Sequence, residues 1–128
     1  MTLSNELPAC NIYNVTNGDL VIKDAMLLVR SDDMRLGFQF WPKLSITDAM
    51  TFFFNEESIR SMHMRNVTFP LLMTWLNKDS VIISQVLAQP SNTQLYSSVL
   101  PASLCIESHP DLLERLHVGD KLSIVRSK

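Results

Sequence analysis

The sequence predicts a mainly β fold of the α+β type: a compact antiparallel β-barrel or sandwich with two short helices. Short apolar or alternating runs recur between polar turns, which is typical of strands. Helical signals occur in only two places and do not alternate with the strands, which argues against a parallel α/β sheet. The 128 residues, 46% hydrophobic and 19% charged, suit a single core. We therefore expect one domain over residues 1–128, with an irregular N-terminal arm at 1–9.

The first strands are predicted around a tight turn. Residues 11–15 alternate as a half-buried strand does, and Asn17-Gly18 favours a hairpin turn with positive φ. Aliphatic runs at 20–22 and 25–29 predict the strands that follow.

A short helix is predicted after these strands. Ser31 is a favourable N-cap, and Asp32 and Asp33 place negative charge in the first turn. The helix is expected to run to about Leu36 and to stop at Gly37.

The middle of the chain reads as an aromatic loop at 38–42 and a strand at 49–54, followed by a polar turn at 55–58. Residues 61–76 form two extended runs joined at 66–70. The polar residues 77–80 then predict a hairpin turn, with residues 81–87 as the return strand.

The C-terminal part predicts a loop at 89–98 and a strand at 102–107. Pro110 suits the first position of a second helix, with His109 as its candidate cap, and Gly119 ends that helix. Residues 122–125 form a closing strand.

Charge and composition exclude several kinds of partner. The net charge of −2 comes from interleaved acids and bases, which argues against nucleic acid and anionic lipid as partners. No apolar run approaches the ~18 residues of a membrane helix, and the N-terminus does not resemble a signal peptide. We expect a soluble, cytoplasmic protein without a membrane partner.

Metals and cofactors are not expected. Cys10 and Cys105 stand alone and are interpreted as buried free thiols. Met62-His63-Met64 invites a copper reading, but strand alternation would place His63 on the face opposite the two methionines. Methionine at this spacing is more typical of a core.

A polar corner is the best candidate site. His63, Arg65, Asn66, Glu107 and Asp120 are the candidate ligand-binding residues, and no catalytic residue is assigned. The structural alternative is that Arg65 forms a bidentate ion pair with Glu107 or Asp120 and that Asn66 caps its own turn. We favour that alternative for Arg65.

A series of short motifs resembles one protein family. In order they are Gly37-Phe38-Gln39-Phe40, Ala49-Met50-Thr51-Phe52-Phe53-Phe54, Met64-Arg65-Asn66-Val67, Phe69-Pro70-Leu71, Tyr96-Ser97, Ile106-Glu107 and Gly119-Asp120. The chain resembles, over roughly residues 20–125, the family catalogued as domain of unknown function 192. The resemblance implies a compact, mainly antiparallel barrel-like fold, and it implies no activity because the family has none established.

The chain departs from the family pattern at polar and aromatic positions. His63 stands where the family has tryptophan, Leu72 where it has aspartate, Trp41 where it has arginine and Val67 where it has threonine. A family site built from those residues would be incomplete in this chain.

Two functions remain open. The apolar strand faces at 71–76 and 81–87 favour a non-enzymatic binding or assembly module with a protein partner or a second copy of the chain. The alternative is a small-molecule or enzymatic site at the corner of His63, Arg65, Asn66 and Glu107. A pocket there would favour the second function, and a flat apolar patch the first.

Overall fold

The computed structural model describes residues 7–128 and confirms the mainly β fold class. None of the helices in this part of the chain is long and apolar enough to cross a membrane. The elements are, in order, β1 (Ala9–Asn14), β2 (Leu20–Leu28), α1 (Ser31–Leu36), β3 (Ala49–Ser58), β4 (Ser61–Met64), β5 (Leu71–Leu76), β6 (Ile82–Ala88), β7 (Ser91–Ser97), β8 (Ala102–Ser108), a 3₁₀-helix (Pro110–Glu114) and β9 (Leu122–Arg126).

Seven strands form one curled sheet in the order β6-β5-β8-β3-β2-β1-β9. Neighbouring strands are antiparallel except β2 and β3, which run parallel. The two outer strands, β6 and β9, meet at one end, where Val81 bridges Lys121 and the Ile82 amide donates to the Asp120 carbonyl over 2.9 Å. The sheet is therefore a half-barrel, and β4 and β7 form a separate two-stranded sheet.

Both faces of the curled sheet carry a hydrophobic core. On β8, Ile106 belongs to one buried cluster and the adjacent Cys105 to the other, as strand alternation requires. Strand β5 is buried at all six positions, with Leu72 packed in the first cluster and Trp75 in the second. This double burial explains why residues 71–76 are apolar without interruption.

The two predicted hairpins are confirmed. β1 pairs with β2 across Asn17-Gly18, where Gly18 has a φ of 78°. β5 pairs with β6, and in the turn between them the Asn77 side-chain oxygen accepts from the Val81 amide at 3.1 Å. The residues of each turn therefore determine how the two strands that they join are paired.

Two predictions about loops are wrong. Residues 91–97, expected in a loop, form β7, whose Tyr96 pairs with Met62 of β4. Most of β7 is exposed, so it lacks the apolar alternation that marks a half-buried strand. Residues 55–58, expected in a turn, extend β3 to Ser58, because the end of a sheet strand can be polar where it is exposed.

Both helices exist, with different details. α1 spans Ser31–Leu36, but its N-cap is Arg30 and not Ser31, with no capping side-chain hydrogen bond. The second helix is a shorter 3₁₀ segment, and the predicted cap is confirmed because His109 Nδ1 accepts from the Asp111 amide at 3.1 Å. Residues 1–6 of the expected irregular arm lie outside the described residues, and Ala9 already belongs to β1.

Candidate functional site

A cavity of about 370 Å³ lies against the face of the sheet that carries Trp75, and we call it the Glu107 cavity. α1 and the residues after it form one side, β3 and β4 form the others, and Glu107 reaches it from β8. Its walls are mainly apolar, contributed by Met34, Phe38, Phe52, Phe54, Met62 and Val67. The volume falls within the range of small-molecule sites, roughly 300–1,000 Å³.

The turn after α1 shapes one wall. Gly37 has a φ of 48°, and an added Cβ would lie 3.4 Å from Phe52 Cζ, so this sharp turn suits glycine. The turn directs Phe38 inward, where it is 1% exposed and stacks edge-on against Trp41 with ring centroids 4.8 Å apart. Packing in the hydrophobic core therefore fixes the position of this cavity wall.

Glu107 lies in the centre of the sheet, and no residue among 7–128 is paired with its side chain. Its neighbours across the strands are Met50 on β3 and Met73 on β5, and both are fully buried. The Glu107 residue is 4% exposed, and within residues 7–128 no donor side chain or backbone amide hydrogen-bonds its carboxyl group. Burial alone raises the pKa of Glu107 to about 8, because the ionised form has lost its hydration.

The Glu107 carboxyl group faces the cavity. In the described chain, the buried and unpaired side-chain atoms that are wholly enclosed are Arg60 Nε, Trp75 Nε1 and Ser103 Oγ. Glu107 lines the cavity and is not completely buried, since 4% of the residue is exposed. A molecule in the cavity can therefore reach this carboxyl group.

His63 lines the same cavity from β4. Its Nδ1 accepts a hydrogen bond from the Arg65 amide at 3.1 Å, which leaves the proton of a neutral imidazole on Nε2. Partial burial, and then the charge of Arg65, lower the pKa of His63. The imidazole is therefore an uncharged wall group at neutral pH.

Asn66 borders the cavity without lining it. It has a φ of 59°, its carbonyl accepts from the Phe40 amide at 2.9 Å, and its side-chain Nδ2 donates to Gln39 Oε1 at 3.0 Å. Gln39 in turn lines the cavity. Asn66 thus fixes the segment after α1 at the cavity rim, which is a positioning role.

Arg65 does not form the ion pair that we favoured from the sequence. Its side chain is exposed, and no carboxylate in residues 7–128 lies within salt-bridge distance of it. Glu107 faces the cavity, and Asp120 is engaged elsewhere. The prediction of a bidentate pair is therefore wrong.

We expect Arg65→Lys to leave the free energy of unfolding within about 0.5 kcal/mol of the wild type, as for other exposed side chains without partners. Denaturant melts of the two proteins measure this difference. A loss above about 1.5 kcal/mol would mean that the guanidinium has a partner after all.

Asp120 lies apart from the other four candidates, at the seam of the half-barrel. Its Oδ2 accepts from Asn14 Nδ2 at 2.9 Å and from the His117 amide at 3.0 Å. These bonds tie the turn before β9 to the end of β1. The groove that it lines has no lining residue in common with the Glu107 cavity.

Sequence reasoning missed most of the cavity. Phe52 and Phe54 were interpreted as strand residues, and Met34 and Ser61 carried no signal. Gln39, Phe52 and Phe54 lie in motifs of the family resemblance, which was the available indication. The argument from alternation also does not separate Met62 from His63, since both line the cavity beside an irregular register at Met64.

Comparison with known proteins identifies the family. The model of the family DUF192, described as "Uncharacterized ACR", matches residues 14–124. The chain belongs to this family. A comparison with curated proteins finds no match to the chain.

Two solved structures are similar to this member of the DUF192 family. One, from Sinorhizobium meliloti 1021, bears a name that assigns it provisionally to the transcription regulators; it has a TM-score of 0.80 at 21% identity, over 97% of this chain and 98% of the other. A protein of unknown function from Novosphingobium aromaticivorans DSM 12444 has a TM-score of 0.77 at 20% identity, over 91% and 83%. At these identities the likeness shows a shared fold.

Proposed function

We propose that this protein binds a small molecule in the Glu107 cavity and acts as a binding module without catalysis. The observation that carries the proposal is the carboxyl group of Glu107, which has no hydrogen-bond partner in residues 7–128 and lines a mainly apolar cavity. Apolar walls around a few polar groups are the usual composition of ligand sites.

The cost of burying Glu107 supports this proposal. Burial raises its pKa from 4.5 to about 8, and that difference corresponds to about 5 kcal/mol against the ionised form in the folded state. Buried polar groups in native proteins almost always have partners, so an unpaired one needs an explanation. A ligand that hydrogen-bonds the carboxyl group supplies the missing partner.

The structure removes part of the support for the assembly-module hypothesis. It rested on the apolar positions at 71–76 and 81–87. Residues 71–76 are buried between the two cores, whereas β6 is only partly buried and Leu87 is exposed. Exposed apolar side chains remain on the two-stranded sheet and its flanks, such as Leu95 and Val99. Binding of a protein partner or formation of a homo-oligomer through these side chains is therefore the second candidate function. Measurement of the molar mass in solution tests it.

The lining also favours binding over catalysis. Its candidate nucleophiles are Ser31 and Ser61, and neither forms a hydrogen bond with His63 within residues 7–128. A hydroxyl group needs an adjacent base to act as a nucleophile. The cavity therefore supplies recognition and lacks the arrangement that acyl or phosphoryl transfer requires.

Blocking the cavity mouth tests the proposal. Ser61 is exposed and lines the cavity, and its cross-strand partner Ser97 is exposed and does not. We expect amide NMR shifts of cavity residues on adding fragments from a small-molecule library, and we expect Ser61→Tyr to abolish them while Ser97→Tyr keeps them. A ligand at a hundred times its Kd should stabilise the fold by about 2.7 kcal/mol.

Two results would contradict the proposal. One is a fragment library that produces no shifts at the cavity in the wild type. The other is a ligand that binds Ser61→Tyr and Ser97→Tyr equally well, which would place its site elsewhere on the surface.

A further inference from the structure

We infer that the ligand of the Glu107 cavity is a protonated amine carried on a small apolar body, an inference that rests on the proposed function. Glu107 supplies the anion, and the aromatic and thioether side chains around it receive the apolar part.

The floor group is a carboxyl group that accepts no hydrogen bond from the described part of the chain. A glutamine at this position would serve a neutral ligand as well, because its amide both donates and accepts. A carboxylate differs from an amide in its negative charge, and charge-assisted hydrogen bonds are roughly twice as strong as neutral ones. An ammonium group is the ligand that uses this difference.

The walls favour a cation next to apolar surface. Phe38, Phe52 and Phe54 line the cavity, and the face of an aromatic ring attracts cations. Phe54 already stacks with one, since the Arg60 guanidinium carbon lies 4.5 Å from its ring centroid. A volume of about 370 Å³ limits the ligand to metabolite size.

The rim charges are compatible with a cation. Two other titratable groups line the cavity with Glu107, Arg35 on α1 and His63 on β4, and Cys105 on its own strand interacts with it electrostatically. Burial raises the pKa of Cys105, so this thiol is neutral, and the His63 imidazole, whose pKa is lowered, is neutral at pH 8. Arg35 is the remaining charge among the lining residues, and its side chain is exposed, so water screens it. Arg60 stacks on Phe54 but does not line the cavity.

The proton balance sets the pH dependence. Below pH 8 Glu107 is protonated, so an incoming ammonium ion displaces one proton to solvent and forms a carboxylate–ammonium pair. The competent ionised form is about 1% of the protein at pH 6 and about half at pH 8, so the apparent affinity should rise about 50-fold over that range. A neutral ligand that accepts the Glu107 proton would show the opposite trend.

Three probes with the same aromatic body separate the possibilities. We propose NMR titration of the protein with 2-phenylethylamine, 2-phenylethanol and 3-phenylpropanoate at pH 6 and pH 8. The amine is expected to shift cavity amides, to bind about 50-fold more tightly at pH 8, and to lose most of that gain in Glu107→Gln. Glu114→Gln is the matched control, because Glu114 is exposed and does not line this cavity.

The other possible results contradict either the amine inference alone or the proposed function as well. Binding of the alcohol in preference to the amine, with weaker binding at pH 8 than at pH 6, would overturn the inference and leave the small-molecule function standing. Binding of the propanoate, lost in Arg35→Gln, would identify an anion site and overturn it too. If none of the three probes shifts a cavity amide but other fragments shift them, the inference of an amine ligand is wrong. If no fragment shifts a cavity amide, the proposed function is wrong as well.

Discussion

Replacing Trp75 by alanine is expected to lower the free energy of unfolding by about 3–5 kcal/mol, as other buried Trp→Ala changes do. Trp75 is fully buried near the C-terminal end of β5, opposite Cys105 on β8 and Ser84 on β6. Removal of the indole leaves a void between strands that the sheet hydrogen bonds hold in place. Urea or guanidinium melts of the two proteins measure the loss.

Two variants make this prediction specific. Trp41→Ala removes the chain's other tryptophan, which is partly exposed, and should cost clearly less. Trp75→Phe should cost under about 2 kcal/mol, because Trp75 Nε1 is buried without an acceptor in the described chain and its removal relieves an unpaired donor. If Trp75→Ala costs under about 1 kcal/mol, or no more than Trp41→Ala, the second core is not packed as described.

The parts of the fold that were predictable are those set by neighbours in sequence. Asn17-Gly18 determines a hairpin from two residues, and the polar turn at 77–80 does the same for β5 and β6. His109 before Pro110 likewise marks a helix start through one side-chain hydrogen bond. In each case the energetic cause lies within a few residues of the element.

The parts that were not predictable depend on distant segments. β7 is a strand because β4 supplies its hydrogen bonds, and its own exposed residues give no pattern. The placement of β8 between β3 and β5, which puts Glu107 next to Met50 and Met73, is a property of the whole sheet. Alternation assigns a residue to a face and does not show which distant strand lies beside it.

The same limit explains the mixed result for the candidate site. Polar residues in an apolar context marked His63 and Glu107, and the fold brings both to one cavity. Asp120 was chosen on the same grounds, but its carboxylate accepts hydrogen bonds from Asn14 and His117, where the two ends of the half-barrel meet. Burial predicts that a polar group has a role, and only the geometry distinguishes a structural hydrogen bond from a free carboxyl group.

The stability of the wild type is expected to fall as the pH rises from about 4.5 to 8, by up to about 5 kcal/mol from Glu107 alone. The folded state holds the Glu107 proton up to a pKa of about 8, whereas the unfolded chain releases it near the ordinary value of 4.5. Between these values the folded state binds more protons than the unfolded state, so each increase in pH favours unfolding. Above pH 8 both states are ionised and the loss levels off.

Glu107→Gln isolates this effect, because the amide has nearly the same shape and does not titrate. The pKa values of Asp24 and Asp32 are lowered by hydrogen bonds to Ser127 and Arg30, and these groups are present in both proteins, so they cancel in the difference. Denaturant melts at unit steps from pH 4 to pH 9 should give two curves that diverge with rising pH, with the glutamine variant more stable at pH 9. Parallel curves would mean that Glu107 is ionised and solvated in the folded protein, and the amine inference would then lose its pH dependence while the cavity itself remained available for a ligand.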